Sequence, residues 1–575
     1  MSDAMDLLRS VKDQTDETEF YTPLPDGYAL GSTRYVAVFG TVISGLGKGI
    51  FSSSLAKLLK DKGLAVSPIK LEGYLNFDSG TLNPFRHGEV FVLDDGMESD
   101  MDLGTYERML DQNLIGANFA TSGQIFQAVL SKERAGGYLG RDVQMIPHVT
   151  GEVKLRLRNL AVKTGADVVF IEVGGTVGDI ENAFYIEALR ELSYEEGPQN
   201  VGFMVLTYVL SPPALGEQKS KAAQLGIRRL MEFGIHPHVI AVRAEEPVTI
   251  KVRQKLSVYT NVPVGRVFSM HDLPSIYLLP ELMREEGLDS EVVELLHLGG
   301  RVNTAQEIKA AGEWARFTGT IGAERHAVRI GITGKYTALR DSYASILKAL
   351  EHAGVANDAK AEVEWIDTTE VTDANVADRL DDVDAIIVPG GFGTRGTAGK
   401  IACIQHARTH KLPYLGICLG FQMAVVEFAR NVCGLAGAGS TEMEPDCEHP
   451  VISILPEQKE IEGLGGNMRL GGQDVILTDG SLAAELYASI EIRQRFRHRY
   501  EVDPRYIEPL QAGGMVFSGR HPVHPIMQVL ELPRDKHPYF IGGQFHPELT
   551  SRPLRPAPMF DGLVRAALER KATRR

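Results

Sequence analysis

Short apolar runs separated by longer stretches of helical character recur along the whole 575-residue chain. In the first half, RYVAVF (34–39), DVVFIEV (167–173), VGFMVLTYVL (201–210) and HVIAVR (238–243) predict strands. Strands alternating with helices predict an α/β fold with mainly parallel sheets. Between residues 298 and 325 the pattern breaks into LGGRVNTAQEIKAAGEWARFTGTIGAER, whose Ala, Lys and Glu content predicts a partly helical linker. A second set of strands then begins, at AVRIGIT (327–333), AEVEWI (361–366), DAIIV (384–388) and PYLGI (413–417). The pattern predicts an N-terminal extension over 1–32, a first domain over 33–299, a linker over 300–326 and a second domain over 327–575.

Length agrees with two or three domains, and 43% hydrophobic with 23% charged residues is ordinary for a globular protein. No run of about 18 apolar residues predicts a membrane span. The extension is acidic and polar, without the basic start and apolar stretch of a secretory signal, so we expect a cytoplasmic protein with a mobile tail. A net charge of -15 argues against nucleic acid as a partner, since phosphate-backbone binding needs a basic face. It leaves small phosphorylated ligands open, because those need only a local pocket of amides and lysines. The four cysteines (Cys403, Cys418, Cys433 and Cys447) show no C-x-x-C spacing, which predicts one reactive thiol among structural ones.

That thiol is Cys418. Residues 413–423, PYLGICLGFQM, read as a strand, a cysteine between Gly416 and Gly420, and then a helix. This is a thiol nucleophile elbow, where small neighbours permit a sharp turn and the helix amides favour thiolate. His546, in GGQFHPEL, is an acid–base partner, and Glu548 two residues on shares its face and can orient it. The glycine-rich VPGGFGTRG (388–396) follows a strand, so Gly391 and the amide of Leu419 form the expected oxyanion pair. A lone cysteine between glycines is more often a buried structural thiol; the elbow, glycine loop and H-P-E together in this order favour the nucleophile.

In the first half, residues 34–60 run strand, glycine loop, lysine, helix, a phosphate cradle to which Lys48 adds charge. It is not a strict Walker A: Gly40 is too far from Gly47-Lys48, and Gly49 stands where Ser or Thr would reach a metal. Magnesium would then need carboxylates, and Asp102 in DMDLGTYER and Glu172 at the end of an apolar strand are the candidates. Asp102 could equally be a helix N-cap, and Asp100 beside it could take either role.

The second-half motifs resemble the class I (triad) glutamine amidotransferases. That resemblance implies Cys418 as nucleophile, His546 as base and Glu548 as its orienting partner. It implies that Gly391, Leu419, Gly420, Phe421, Gln422, Glu442 and Arg499 hold glutamine, Arg499 suiting the α-carboxylate. The whole set, SGLGKGI, HGEVFVLDDG, DLGTYER, EVGGTVGDIE, PGGFG, GICLGFQ, MRLG and the H-P-E, resembles the CTP synthases over essentially all of 34–565. This implies a P-loop-type parallel-sheet synthetase domain followed by a class I amidotransferase α/β domain. The implied activity is that of a ligase: ATP phosphorylates O4 of UTP, and ammonia from glutamine displaces the phosphate to give CTP. The resemblance also places Ser44 at UTP and CTP, and Gly45, Leu46, Gly47, Lys48, Gly49, Ile50 and Asp102 at ATP. His271, Asp272 and Leu273 fall on its adenine side, and Asp102 and Glu172 at Mg²⁺. Asp179, Ile180, Glu181, Lys219, Ser220, Lys221, Ala222, Ala223, Gln224 and Lys255 fall at the pyrimidine nucleotide, with Lys48 and Lys70 as phosphate partners. It further implies GTP as activator, CTP as inhibitor, and a homotetramer that could form filaments.

The chain departs from that family in places. K-x-D-P-Y is the usual reading where this chain has Lys70-Leu71-Glu72-Gly73-Tyr74, and K-T-K-P-T-Q where it has Lys219-Ser220-Lys221-Ala222-Ala223-Gln224. His271 replaces a usual lysine, Phe184 a usual proline, and the stretch around 455–464 is short. These changes leave open a paralogue that aminates another pyrimidine nucleotide. Carboxylate-amidating synthetases and a non-catalytic nucleotide sensor are further alternatives, against which the motifs at 87–108 and 172–181 and the intact Cys418 and His546 count.

Overall fold

The computed structural model describes residues 23–138, 140–212, 214, 216–335, 340–454 and 468–574. Most of the expected N-terminal extension, and the short stretch around 455–464, lie outside the described residues. The chain forms two compact units, one from residues up to Thr81 with Thr105–Thr318, the other from Leu82–Gly104 with Gly319–Arg575.

The first unit is built on a wholly parallel seven-stranded sheet: β1 (Arg34–Gly40), β2 (Val66–Glu72), β3 (Phe119–Thr121), β4 (Val168–Val173), β5 (Val201–Tyr208), β6 (Val239–Ala244) and β7 (Val267–His271). Their order is β3-β2-β4-β1-β5-β6-β7. The central strands are apolar on both faces: Val36, Ala37 and Val38 of β1 and Val168 to Ile171 of β4 are fully buried. Helices cover a parallel sheet on both sides, so runs like VAVF need no polar alternation. The chain leaves β1 toward β2 and later returns to its other flank with β5, a reversal of order that opens a crevice at the carboxyl ends of the central strands. The expected linker forms the helix Thr304–Gly322. Its Trp314 donates to the Tyr277 carbonyl at 3.0 Å and lies under the Lys57 ammonium, 4.1 Å from the ring centre.

The second unit carries a nine-stranded mixed sheet: β8 (His326–Gly334), β9 (Ala359–Asp367), β10 (Ala385–Val388), β11 (Tyr414–Ile417), β12 (Arg469–Leu477), β13 (Glu491–His498), β14 (Val516–Arg520), β15 (Met527–Glu531) and β16 (Phe540–Gly543). The order is β9-β8-β10-β11-β16-β15-β14-β12-β13. It is parallel from β9 to β16 and antiparallel beyond. The strands expected from sequence in both halves appear within a residue or two of their expected ends.

A short antiparallel hairpin, Val90–Val92 with Glu98–Asp100, belongs to this second unit. Arginines at alternate positions of β13 share one face of the strand and grip it. Arg493 reaches both oxygens of Asp94, Arg495 donates to the Val92 carbonyl, and Arg497 pairs with Glu98 at 2.6 Å. Gly471 and Gly472 make room: a Cβ on Gly471 would stand 2.5 Å from the Gly96 nitrogen.

Candidate active site

In the first unit, the loop between β1 and the helix Lys48–Asp61 turns through three left-handed residues, Val42, Gly45 and Gly47. Gly47 stands immediately before the helix, where its φ of 81° is free of the steric cost an L side chain would carry. Ser44 and Gly45 are exposed, while Leu46 and Gly49 are buried and Lys48 and Ile50 half-buried. The Lys48 ammonium donates to the Gly175 carbonyl at 2.9 Å, and its side chain lies over Gly40, where a Cβ would come within 3.0 Å.

The EVGGTVGDIE motif meets this loop directly, Val177 N–H donating to the Gly40 carbonyl. Asp179 closes the turn by accepting from Thr176 N–H at 2.7 Å, leaving Ile180 and Glu181 exposed beside it. At the neighbouring strand ends, register pairs Lys70 with Glu172, and the Lys70 ammonium lies 2.8 Å from Glu172 and 3.3 Å from Glu72. Glu172 is 1% exposed, an oxygen donor suited to a hard cation in type, though its nearest neighbour here is a lysine. Among the described residues no group of three or more His, Cys, Asp or Glu could hold a metal by itself.

The remaining nucleotide candidates lie on several elements. His271 ends β7, with Ser269 Oγ 3.3 Å from its Nδ1, and Asp272 pairs with Arg243 at 2.5 Å. Lys219 pairs with Glu217 ahead of the helix Lys221–Glu232. Around that helix start, Ser220, Ala223 and Gln224 are buried, Gln224 donating to Ser220 Oγ at 3.1 Å, whereas Lys221 is exposed and Ala222 half-buried. Leu273 follows Asp272 at the end of β7, and Lys255 lies exposed on the helix Ile250–Thr260. Asp102 lies in the first turn of the helix Met101–Leu110, among residues of the second unit, its N–H bonded to the Asp100 carboxylate at 2.9 Å.

In the second unit, Cys418 follows β11 and His546 follows β16, and these strands are neighbours with Ile417 opposite Gly543. Adjacent strand ends therefore bring nucleophile and base together. Cys418 takes φ 50°, ψ -100°, a left-handed, strained elbow costing on the order of 1–3 kcal/mol. Its flanking glycines are required. A Cβ on Gly420 would stand 2.0 Å from the Val388 carbonyl, and one on Gly416 2.4 Å from the Tyr414 hydroxyl. The thiol is 5% exposed and lies 3.7 Å from the Arg497 carbonyl and 3.8 Å from Gln544 Nε2.

His546 Nδ1 lies 2.8 Å from Glu548 Oε1. Burial of the imidazole opposes charging, but the Glu548 carboxylate and the facing Cys418 outweigh it and raise His546 from 6.5 to about 10. The imidazole thus holds its proton at neutral pH, ready for a leaving amine. Gly390, which the sequence reading passed over, sits on this pair: a Cβ there would lie 2.9 Å from His546 Cε1 and 3.6 Å from Cys418 Cβ.

The same pocket is lined by Gly391, Phe392, Arg497 and, from the hairpin segment, Glu89, Val90 and Val92. Leu419, Gly420 and Phe421 are buried in the helix Leu419–Asn431. Gln422 is fastened to the Tyr500 carbonyl at 2.9 Å and to Gln544. Glu442 accepts from Gly393 N–H at 2.9 Å, and Arg499 is exposed. A strained thiol, a protonated imidazole and a glycine loop around one pocket are the parts of an acyl-transfer site.

Fold and site define a class I glutamine amidotransferase unit in one chain with a parallel-sheet unit of P-loop type. Comparison with known proteins agrees: residues 34–298 match the family described as CTP synthase N-terminus, and residues 338–566 match glutamine amidotransferase class-I. A CTP synthase of Thermococcus gammatolerans is 48% identical over 94% of this chain and 99% of its own. One of Halalkalibacterium halodurans is 45% identical over 94% of this chain and all of its own. Among solved structures, the glutaminase domain of a Trypanosoma brucei CTPS with bound acivicin covers 42% of this chain and 94% of its own, at 35% identity and a TM-score of 0.39. The chain belongs to the CTP synthase family.

Proposed function

We propose that the protein makes CTP by ATP-dependent amination of UTP with ammonia released from glutamine. The observation that carries the glutaminase half is the Cys418 elbow on the strand beside that of His546, whose Nδ1 lies 2.8 Å from Glu548. The Cys418 thiolate attacks the glutamine carboxamide carbon, and the oxygen takes the negative charge. The amides of Gly391 and Leu419 face that oxyanion. His546 gives its proton to the departing amine, so ammonia leaves and a γ-glutamyl thioester remains. Water, deprotonated by His546 now acting as base, displaces the sulfur as thiolate, which releases glutamate and restores the thiolate beside a protonated imidazole.

In the synthetase half, O4 of UTP is a poor leaving group until phosphorylated. The loop Gly45 to Ile50, with Lys48, binds the ATP phosphates, and His271 to Leu273 lie toward adenine. Ser44, Asp179 to Glu181, Lys219 to Gln224 and Lys255 recognise the pyrimidine nucleotide. Asp102 and Glu172 would hold Mg²⁺, which would supply positive charge to the transferred phosphate. Ammonia then displaces phosphate at C4. GTP as activator, CTP as product inhibitor, a homotetrameric assembly and a cytoplasmic location belong to the same reading. No described helix is long and apolar enough to cross a membrane.

The test is incubation of purified protein with UTP, ATP, Mg²⁺ and glutamine across a range of GTP, with product identified by chromatography. CTP is expected; its absence at every GTP level overturns the reading. The relatives named above do not favour a different pyrimidine substrate.

A further inference from the structure

One buried cation near Cys418 has no part in the chemistry described so far. Lys400 lies in the first turn of the helix Thr397–Thr409 and is 2% exposed. Among the described residues, no carboxylate lies within ion-pair distance of it. Its ammonium donates at 2.8 Å to the carbonyl of Pro389, the first residue of the PGGFG loop. A Cβ built on Gly391 would lie 4.0 Å from Lys400 Nζ and 3.6 Å from Leu419 Cδ2, so the ammonium stands behind the two residues assigned to the oxyanion hole.

Two energetic penalties meet at this lysine. A buried ammonium without a carboxylate loses hydration that one neutral carbonyl only partly replaces. A cation in a helix's first turn also opposes the macrodipole. Nothing in packing alone calls for an ammonium there, and a methionine would fill similar space. An electrostatic gain elsewhere is the remaining account.

The loop shows where that gain falls. Lys400 takes the Pro389 carbonyl, Lys335 takes the Phe392 carbonyl, and Glu442 takes the Gly393 N–H. Pinned at three backbone atoms, the loop has its Pro389–Gly390 peptide plane fixed, and with it the aim of the amides that follow. A glycine loop needs such pins, since it otherwise samples more backbone states than any other sequence.

We propose that Lys400 is a positioning residue of the glutaminase site, anchoring the oxyanion loop through Pro389 and placing positive charge behind the sulfur and the developing oxyanion. The proposal rests on Cys418 being the nucleophile. Burial lowers the Lys400 ammonium to about 7, the charge of Lys335 acting the same way, while Cys418 and Cys403 pull it back up. Negative charge arising at the oxyanion favours the charged form of this ammonium in the same way.

The experiment compares wild type with Lys400→Met, Lys400→Arg and Cys418→Ala, in full chains. Three quantities are read: kcat/KM for glutamine, ammonia-dependent CTP synthesis, and the rate at which iodoacetamide alkylates Cys418 from neutral to alkaline pH. In Lys400→Met, kcat/KM for glutamine should fall about tenfold or more. Alkylation should slow at neutral pH and recover at alkaline pH, with ammonia-dependent synthesis kept. A glutamine kcat/KM and an alkylation profile both within twofold of wild type would overturn the proposal. So would a fall in kcat/KM with an unshifted alkylation profile, which is what loop packing alone produces. Should Lys400→Met also lose ammonia-dependent synthesis, Lys400→Arg decides: a wild-type alkylation profile supports the charge, and one displaced as in Lys400→Met overturns it. Glutamine-dependent synthesis surviving in Cys418→Ala would instead remove the nucleophile assignment, and the proposal with it.

Discussion

His546 and Glu548 lie two residues apart, yet their side chains meet at 2.8 Å in a buried pocket because the chain kinks into a short 3₁₀ turn at Pro547. Against the opposing effect of burial, this carboxylate, together with the facing Cys418, raises the imidazole from 6.5 to about 10. Glu548→Gln removes that hold, and burial then favours the neutral ring. Glutamine-dependent synthesis should fall by about two orders of magnitude or more, with ammonia-dependent synthesis kept. Because the native value is raised, the stability this pair contributes is complete below pH 6.5 and is lost as pH rises through about 10. The difference in Tm between wild type and Glu548→Gln should therefore be widest at acidic pH and close toward pH 10; a gap widening with pH would contradict the assignment.

The four thiols should separate by reactivity. Burial pushes Cys403 up to about 12 despite nearby Lys400, and burial also raises Cys433 and Cys447. Brief iodoacetamide treatment of native protein at neutral pH, followed by peptide mass spectrometry, should show carbamidomethylation at Cys418 first. Cys403 should stay unmodified until the protein is unfolded. Inactivation of the glutaminase that tracks modification of another cysteine would refute this order.

Two glycines of the site should fail in different ways. Gly420→Ala drives a methyl to 2.0 Å from the Val388 carbonyl, backbone that cannot swing aside. A loss of stability of roughly 1–3 kcal/mol is expected, visible as a lower midpoint in urea. Gly390→Ala instead meets the edge of the His546 ring at 2.9 Å. Its stability should change little, while kcat for glutamine falls about tenfold or more from the displaced base. Equal stability losses in both variants would show that the imidazole is not the group that yields.

Much of this site was legible because its signals are local. Gly416, Cys418 and Gly420 mark the elbow by small residues at fixed spacing, and His546 with Glu548 mark the acid–base pair two positions apart. The apolar runs of β1, β4 and β10 were equally plain, since strands covered on both faces need no alternation. The hairpin was not legible in the same way. Asp94 and Arg493 lie 399 positions apart, and nothing local tells that residues 90–100 pack on β13 and wall the Cys418 pocket. Lys400 escaped notice for another reason: in sequence it resembles any surface lysine on an amphipathic helix, and only its burial sets it apart.

Gly73 is where the departure from the family's K-x-D-P-Y pattern bears on a substrate. A Cβ at this position would stand 3.0 Å from Cβ of Glu181, so the glycine lets the EVGGTVGDIE turn approach the end of β2 more closely than a proline would. The neighbouring Glu72 uses that closeness. Its carboxylate lies against Gly174, where a Cβ would meet Glu72 Oε2 at 2.7 Å, while Lys70 stands 3.3 Å away. Gly73 is not in a left-handed conformation, so alanine fits the backbone and, by restricting the unfolded chain, should not lower stability beyond the cost of the contact. The methyl must push Glu181 by a few tenths of an ångström, and Glu181 is one of the residues proposed to recognise the pyrimidine nucleotide. With ammonia as nitrogen donor, to leave the glutaminase out, Gly73→Ala should raise KM for UTP about threefold to tenfold, with KM for ATP within twofold of wild type; this corresponds to roughly 0.6–1.4 kcal/mol of binding. An unchanged KM for UTP would mean that Glu181 takes no part in holding the nucleotide, and an equal rise for ATP would mean that the turn serves the phosphate loop instead.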